Sequence, residues 1–484
     1  MVYNILGCVV MSKLREIFRK RGPIRKIGVV GMGYVGIPSA ALFADKFDFV
    51  WGLQRDRRSS RYNIEMLNKG QSPLKGEEPG LEELIQKVRV EGKFECTSDF
   101  SKIREVDAVT VAIQTPFKDN AALEPDSGML EEGLRQIGRH LRRGILVVLE
   151  STIMPGTTKG MAAGILHEES GLTPGKDFAL AHAPERVMAG RLIKTIQEHD
   201  RIVGGINRES TERAVELYEP VLTKGKIIAM DSNAAEVTKI AGDTFRDLQI
   251  AAVNQLALYC EAMRINVYDV RAGMNSLKGE GIAQAVPYPG SGVEEHCLTK
   301  DTYHQERGAM LSESKSDHLP DTGSLYVLAR RINDFMPAHM YNLTASGLSR
   351  LGKRIEYSRI AVLGWDFINN PDDTRNTPAG QYYDMLTKKG AKVAVHDPYV
   401  SGYNGVEISQ NLGHCLKGAS AVAILTGHSQ YQALKPRKIK KLTGLQHPVI
   451  VDGRNVIDPD AFINEGFVYL GIGRGDKNRH DISN

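Results

Sequence analysis

Five cysteines in 484 residues, Cys8, Cys96, Cys260, Cys297 and Cys415, are odd in number and widely spaced, and no CxxC pair occurs among them. A disulfide framework and a structural zinc site are therefore not expected, and reduced thiols in a cytoplasm are. No apolar run reaches the roughly 18 residues that a membrane helix needs, so no membrane partner is expected. The opening stretch MVYNILGCVVMSKLREIFRKRG puts its apolar patch before its basic residues, the reverse of a secretory signal. It reads as an extension over residues 1–22, with an amphipathic surface helix as the alternative. Charge of one sign is also scarce, because 62 basic side chains stand dispersed among 58 acidic ones for a net +4. That balance implies no nucleic-acid field, although a mild basic excess suits a phosphate-bearing ligand.

What is present is an ordinary globular composition, 42% hydrophobic and 25% charged, in a chain too long for one core. At about 150 residues per domain, two or three domains follow. Residues 26–31 (KIGVVG) are a short β-branched run opening into a glycine turn, after which Ile37 to Phe47 reads as a helix. Further strand signals stand at 47–54, 108–114 and 145–152, an alternation that predicts a parallel sheet covered by helices. A second such series starts at 359–364, passes a helix near 378–389, and continues through strands ending at Asp397 and at 421–428 and 448–455. Between them, 233–270 and 324–352 are helical in pattern, and a long helix there can carry a dimer interface. The fold expectation is α/β: an extension (1–22), a Rossmann-like domain (23–228), a central helical region (229–355) and a second Rossmann-like domain (356–484).

Each glycine of the first turn has a physical task. Gly31 permits the tight turn, Gly33 lets backbone N–H groups approach a pyrophosphate, and Gly36 allows close helix–sheet packing. The position that usually carries a ribose-binding acid holds Gln54, followed by Arg55, Asp56, Arg57 and Arg58. NAD is the expected cofactor, with Gln54 on the ribose, while the arginines leave NADP open.

The stretch PYPGSGVEEHCLTKD (287–301) places Cys297 after a glycine-interrupted run and before Lys300 and Asp301, where a reactive thiol can hold an aldehyde covalently between two oxidations. A helix beginning just before Leu298 would put the thiol at its N-terminus, with Lys300 and Asp301 at i+3 and i+4 on one face. Helix dipole and ammonium both favour thiolate, whereas the competing reading is a small buried hydrophobe.

Several separated motifs carry a resemblance: VVGMGYVGIP (29–38), AIQTPF (112–117), ESTIMPGTT (150–158), APERVMAG (183–190), AAEVTKIAGDTFRDLQIA (234–251) with NQLAL (254–258), GSGVEEHCLTKD (290–301), PDDTRNTP (371–378) and DGRN (452–455). In these the chain resembles the UDP-glucose/GDP-mannose dehydrogenase family along nearly its whole length after residue 25. The resemblance implies oxidation of the C6 hydroxyl of a nucleotide-linked hexose to a carboxylate, with two NAD per sugar, in a homodimer or higher homo-oligomer. It implies Cys297 as nucleophile, Lys239 as oxyanion stabiliser, Asp301 and Thr152 positioning a water, and Glu185 assisting proton movement near hydrolysis. It further implies cofactor contacts from Tyr34, Val35, Thr115, Thr152 and Lys300, and UDP-sugar contacts from Glu185, Arg186, Lys239, Arg246, Gly292, Arg375 and Arg454. The His-Cys form of the cysteine motif, with ERVMAG and TFRDLQIA, is similar to members acting on UDP-N-acetylhexosamines, UDP-N-acetylmannosamine first among them.

Three departures from the family pattern bear on that reading. Asp243 replaces an asparagine one helical turn after Lys239, Glu294-Glu295 replaces a glycine pair, and Ile368 or Asn369 replaces a lysine. Asp243 thus belongs to the site as a charge beside the oxyanion position. Alternatives are a UDP-glucose or other UDP-hexose dehydrogenase, a single-step oxidation stopping at the aldehyde, and a catalytically impaired nucleotide-sugar-binding homologue.

Overall fold

The computed structural model describes residues 12–74, 78–119, 124–187, 190–277, 285–293, 298–311, 324–366 and 377–479. The chain divides into two compact units, Met1–Ala241 with Tyr303–Lys315 and Gly242–Thr302 with Ser316–Asn484.

In the first unit, helix α1 (Lys13–Arg21) precedes the sheet, and its N-terminal N–H of Arg15 donates to the Ser12 side chain. Leu14 is buried and Phe18, one turn on, packs against the same core, so an apolar stripe anchors this basic helix. An amphipathic helix is thus what Lys13–Arg21 form. The strands are β1 (Lys26–Val30), β2 (Phe49–Leu53), β3 (Phe94–Thr97), β4 (Ala108–Val111), β5 (Leu146–Leu149), β6 (Ala179–His182), β7 (Arg201–Gly205) and β8 (Ile227–Asp231). They order as β8-β7-β6-β5-β4-β1-β2-β3, parallel except where β7 runs antiparallel to β6. Strands β4, β5 and β6 are buried along their whole length, as strands covered by helices on both faces must be. Each fully buried Val or Leu there contributes about 1.5–3 kcal/mol. Because β1 lies between β2 and β4, the chain reverses direction across the sheet at its end, which is where such folds bind ligands. Helix α2 (Gly36–Lys46) rises from that point.

Helix α3 (Ser232–Ala262) follows β8 directly and crosses from the first unit into the second at Ala241 and Gly242. Helix α4 (Leu298–Leu311) is likewise divided after Thr302. The second unit contains helix α5 (Leu325–Arg350) and a sheet of β9 (Arg359–Leu363), β10 (Lys392–His396), β11 (Gly402–Tyr403), β12 (Val406–Ser409), β13 (Ala421–Ile424), β14 (Val449–Asp452) and β15 (Val468–Gly471). The order is β11-β12-β10-β9-β13-β14-β15, and only the two-residue β11 runs antiparallel. Gly347 lets α5 approach this sheet, since a Cβ there would stand 2.6 Å from Val449 and 2.7 Å from Leu470. Met336, Met340, Trp365 and Tyr382 fill the core between helix and strands. No described helix is long and apolar enough to cross a membrane.

Candidate active site

The first unit builds a cleft at the end of β1. Gly31 turns with φ +100° and donates its N–H to Leu53 O at 2.9 Å. A Cβ at Gly31 would collide with the Ala112 backbone, and one at Gly36 with the Gly31 carbonyl, so both glycines are required by close approach. Gly33 differs, because a Cβ there would meet nothing within 4 Å. Its free side faces the space a ligand would take. Helix α2 has no side-chain cap and no acid in its first turn, which leaves its positive end to an anion. Tyr34 packs against the core beside the turn, and Val35 is the N-cap.

Gln54 and Arg55 line this cleft together with Gly31, Gly33 and Ile113. The Oε1 of Gln54 is buried and has no hydrogen-bond partner among the described residues. A buried carbonyl oxygen left unmatched costs about 1–3 kcal/mol, and a ribose hydroxyl would satisfy it. The residues present therefore fit a dinucleotide. Gly33→Ala tests this, since its Cβ meets no protein atom within 4 Å but intrudes on the space of the pyrophosphate. NAD affinity measured by titration is expected to fall on the order of tenfold or more with the melting temperature little changed; unaltered affinity would place the pyrophosphate elsewhere.

Thr115 and Thr152 come together, the buried Thr115 hydroxyl donating to the Thr152 carbonyl at 2.5 Å. Ser151 ties the same two loops, its hydroxyl donating to Ile113 O at 2.6 Å and accepting the Ile113 N–H at 3.0 Å. Glu185 is paired with buried Arg201, which also holds Glu150 at 2.9 Å and stacks 4.3 Å over the Tyr218 ring. Burial pushes the Glu150 carboxyl up, opposed by Arg201 and by the Tyr218 hydroxyl that donates to it at 2.7 Å. Burial, then the Arg201 charge, lowers His182 to about 3, so its imidazole is neutral. One guanidinium thus serves two carboxylates. Arg186, by contrast, is exposed and donates to the Asp200 carbonyl.

Lys239 is buried on the first-unit part of α3. One turn before it, Glu236 accepts N–H bonds from Gly156 at 2.6 Å and Thr158 at 2.7 Å, and the Thr158 hydroxyl at 2.5 Å. This carboxylate fixes the loop that follows Thr152 to the helix that carries Lys239. Sequence reading passed over Glu236 and Arg201. Each is a buried charge, a type seldom buried without a partner, which is the signal that points to them.

In the second unit, Cys297 itself lies outside the described residues, as do Glu294, Glu295, His296, Ile368, Asn369 and Arg375. Helix α4 is described from Leu298 onward, and Cys297 and the expected helix start before it lie outside the described residues. Lys300 and Asp301 are both buried in its first turn, 4.0 Å apart. Asp243 is half-buried and Arg246 exposed on α3. The approach to the cysteine, residues 285–293, is held at several points. Asn275 accepts the Val286 N–H at 2.7 Å, Arg271 donates to Pro287 O at 3.0 Å and covers the Tyr288 ring at 3.5 Å, and Asn254 accepts the Gly290 N–H at 3.0 Å. Gly292, with φ +141°, packs against Pro378 and Pro337. A Cβ on Gly290 would lie 3.4 Å from Arg454 Nη1, so the segment that carries Gly292 passes beside Arg454, which is also expected to contact the sugar nucleotide. Arg454 is steadied by buried Asp452, which accepts N–H groups of Arg454, Val456 and Ile457. The three described cysteines, Cys96, Cys260 and Cys415, are buried, and burial raises all three thiols, Cys415 to about 12.

A dinucleotide cradle on one doubly wound sheet, and an arginine-bearing loop at the end of another, define a nucleotide-dependent oxidoreductase. The chain matches the NAD binding domain of the UDP-glucose/GDP-mannose dehydrogenase family over residues 25–222, its central domain over 233–319 and its UDP binding domain over 361–459. It belongs to that family, and is an NAD-dependent nucleotide-sugar dehydrogenase. The crystal structure of the NDP-N-acetyl-D-galactosaminuronic acid dehydrogenase from Methanosarcina mazei Go1 is 63% identical, with a TM-score of 0.87 over 97% of this chain and 100% of that one. The UDP-N-acetyl-D-mannosamine dehydrogenase of Pyrococcus horikoshii is 35% identical over 451 residues, 93% of this chain and all of that protein. An NDP-N-acetyl-D-galactosaminuronic acid dehydrogenase of Ralstonia nicotianae is 30% identical over 443 residues, 89% of this chain and 96% of that one.

Proposed function

We propose that the enzyme oxidises the C6 hydroxyl of a UDP-N-acetylhexosamine to the carboxylate, through a covalent intermediate on Cys297. The observation that carries this reading is the burial of Lys300 and Asp301 on α4, three and four residues after the cysteine. A helix N-terminus and an ammonium both favour thiolate.

Alcohol to acid removes four electrons from one carbon. NAD, when bound, accepts the hydride at each of the two oxidations. The first step takes a hydride from C6 and a proton from the hydroxyl, giving the aldehyde, with Thr152 and Asp301 positioning a water to receive the proton. The Cys297 thiolate adds to that aldehyde, forming a thiohemiacetal, so that the aldehyde stays attached while the spent cofactor leaves. Loss of the second hydride and a proton gives a thioester. Water then cleaves the carbon–sulfur bond, releasing carboxylate and thiol, with Glu185 moving protons and Lys239 balancing oxyanion charge in the tetrahedral species. Asp243 sets the charge one turn from Lys239. Arg246, Arg186, Gly292, Arg375 and Arg454 are assigned to the UDP-sugar, guanidinium suiting its diphosphate; Tyr34, Val35, Thr115 and Lys300 are assigned to the cofactor.

The relatives named above share an N-acetylated sugar and differ in the hexose, so the reading commits to the N-acetyl group, with UDP-N-acetylmannosamine tried first and UDP-N-acetylgalactosamine second. Purified enzyme with NAD is given these two and UDP-glucose, and NADH and uronate are both counted. Two NADH per uronate with an N-acetylated sugar is the expected result; turnover of UDP-glucose alone, or one NADH with aldehyde released, refutes it.

A homodimer is part of the same proposal. Phe245, Tyr259, Leu325, Leu328 and Phe335 are exposed large apolar side chains on α3 and α5 within the second unit, a surface that a second copy would cover. Sedimentation equilibrium is expected to give at least twice the chain mass, and a monomer at micromolar concentration would exclude it.

A further inference from the structure

We propose that the cofactor cleft of the first unit accepts a 2′-phosphate on the adenosine ribose, so that NADP as well as NAD serves the enzyme. The inference rests on the NAD cradle alone, not on the sugar or on Cys297.

Discrimination against NADP in this fold comes from a carboxylate at the end of the second strand, which binds the ribose hydroxyls and repels the extra phosphate. Here β2 ends at Leu53, and Gln54 stands next, its N–H donating to Thr97 O at 3.1 Å. Its buried, unmatched Oε1 can take one ribose hydroxyl but carries no charge. No acidic side chain lines the cleft among the described residues, whereas Arg55 and Arg57 both do. Neither arginine has an ion-pair partner among those residues. The carboxylate nearest in sequence, Asp56, is neutralised by a bidentate pair with Arg61, at 2.6 and 3.0 Å. The helix Arg58–Asn68 then begins with no side-chain cap and no acid in its first turn, and Ser60 near its start is a further lining residue. Arg55, Arg57 and the start of an 11-residue helix thus line the cleft beside Gln54, with no carboxylate in the described lining. A dianionic phosphate is the group that such a field selects, and a neutral amide at Gln54 lets the unphosphorylated ribose bind too.

The test uses the full-length protein and two fragments, AMP and adenosine 2′,5′-bisphosphate, each titrated by calorimetry. The wild type is expected to bind the bisphosphate at least as tightly as AMP. In Arg55→Ala/Arg57→Ala the ratio of the two affinities is expected to shift against the bisphosphate by about tenfold or more, the order expected for hydrogen bonds to a charged group. Gln54→Asp restores the repelling charge and is expected to shift the ratio the same way. Melting curves of each variant check that the fold is kept, and using the ratio removes any common loss of adenosine binding. Turnover with NADP in place of NAD, at a kcat/KM within roughly tenfold, is the kinetic counterpart. Bisphosphate binding weaker than AMP by tenfold or more in the wild type, or a ratio unmoved by the double arginine variant, would overturn the proposal.

Discussion

Cys297→Ala is expected to lower uronate formation by about three orders of magnitude or more, the scale on which loss of a covalent nucleophile acts. Without the thiol no thiohemiacetal forms, and the second hydride would have to leave a hydrated aldehyde with nothing to hold it during cofactor exchange. A first oxidation does not need the thiol, so the variant is expected to release a small amount of NADH unmatched by uronate. Counting both products separately is therefore the decisive measurement. Full uronate yield at near wild-type rate from the alanine variant would remove the covalent step from the mechanism. Lys300 and Asp301 are buried in the first turn of α4, whereas the three described cysteines elsewhere are buried in apolar surroundings that raise their thiols. The expected placement of Cys297 near a helix N-terminus and an ammonium would favour thiolate instead.

The glycine turn and the strands leading into it were legible because they are local. A β-branched run, a turn that needs positive φ, and a helix lie within about 20 residues, and the structure realises them as β1, Gly31 and α2. The same holds for Gly364, with φ +95° at the end of β9. Strands β3 and β8 were not legible. β3 is four residues with an exposed Glu95, and β8 is a largely exposed edge strand, so neither has the apolar contrast that marks a buried strand. The antiparallel β7 could not be read either, since direction is set by the packing of the intervening helix and leaves no periodicity. For the site, residue types at the glycine turn and in the Thr115 and Thr152 loops were legible. The supports behind them were not, because Asn254 and Asn333 bond across 79 positions, and Gly290 meets Asn254 across 36. Such pairs exist only after folding.

Those supports lead to the second large effect, expected of Arg330→Met. Arg330 is 1% exposed and its Nη1 lies 2.5 Å from Asp247 Oδ1, itself fully buried. Asn333 donates to the same oxygen at 2.8 Å and to Asp247 O at 3.0 Å, Asn254 donates to Asn333 Oδ1 at 2.9 Å, and Gly290 donates its N–H to Asn254. Removing the guanidinium leaves a buried carboxylate compensated by one amide, a loss of about 3–5 kcal/mol. Scanning calorimetry is expected to show the transition of the second unit lowered by roughly 6 °C or more, at about 2–4 °C per kcal/mol for a domain of this size. The deficit should depend on pH with a definite sign. Burial already raises the Asp247 carboxyl, with Arg330 the first group opposing that shift, and the variant raises it further. A carboxyl whose folded pKa lies above its unfolded value stabilises the fold while protonated and loses that contribution as pH rises. The variant should therefore be closer to wild type at pH 5 than at pH 8; a deficit independent of pH would mean that Asp247 finds another partner. Asp247→Leu/Arg330→Met removes both charges and is expected to recover much of the stability. It leaves Asn333 without its carboxylate acceptor, so the rate of Cys297 alkylation by iodoacetamide is expected to differ from wild type in that double variant, through the asparagine relay to Gly290. Recovery of stability together with wild-type thiol reactivity would confine the network to holding the fold.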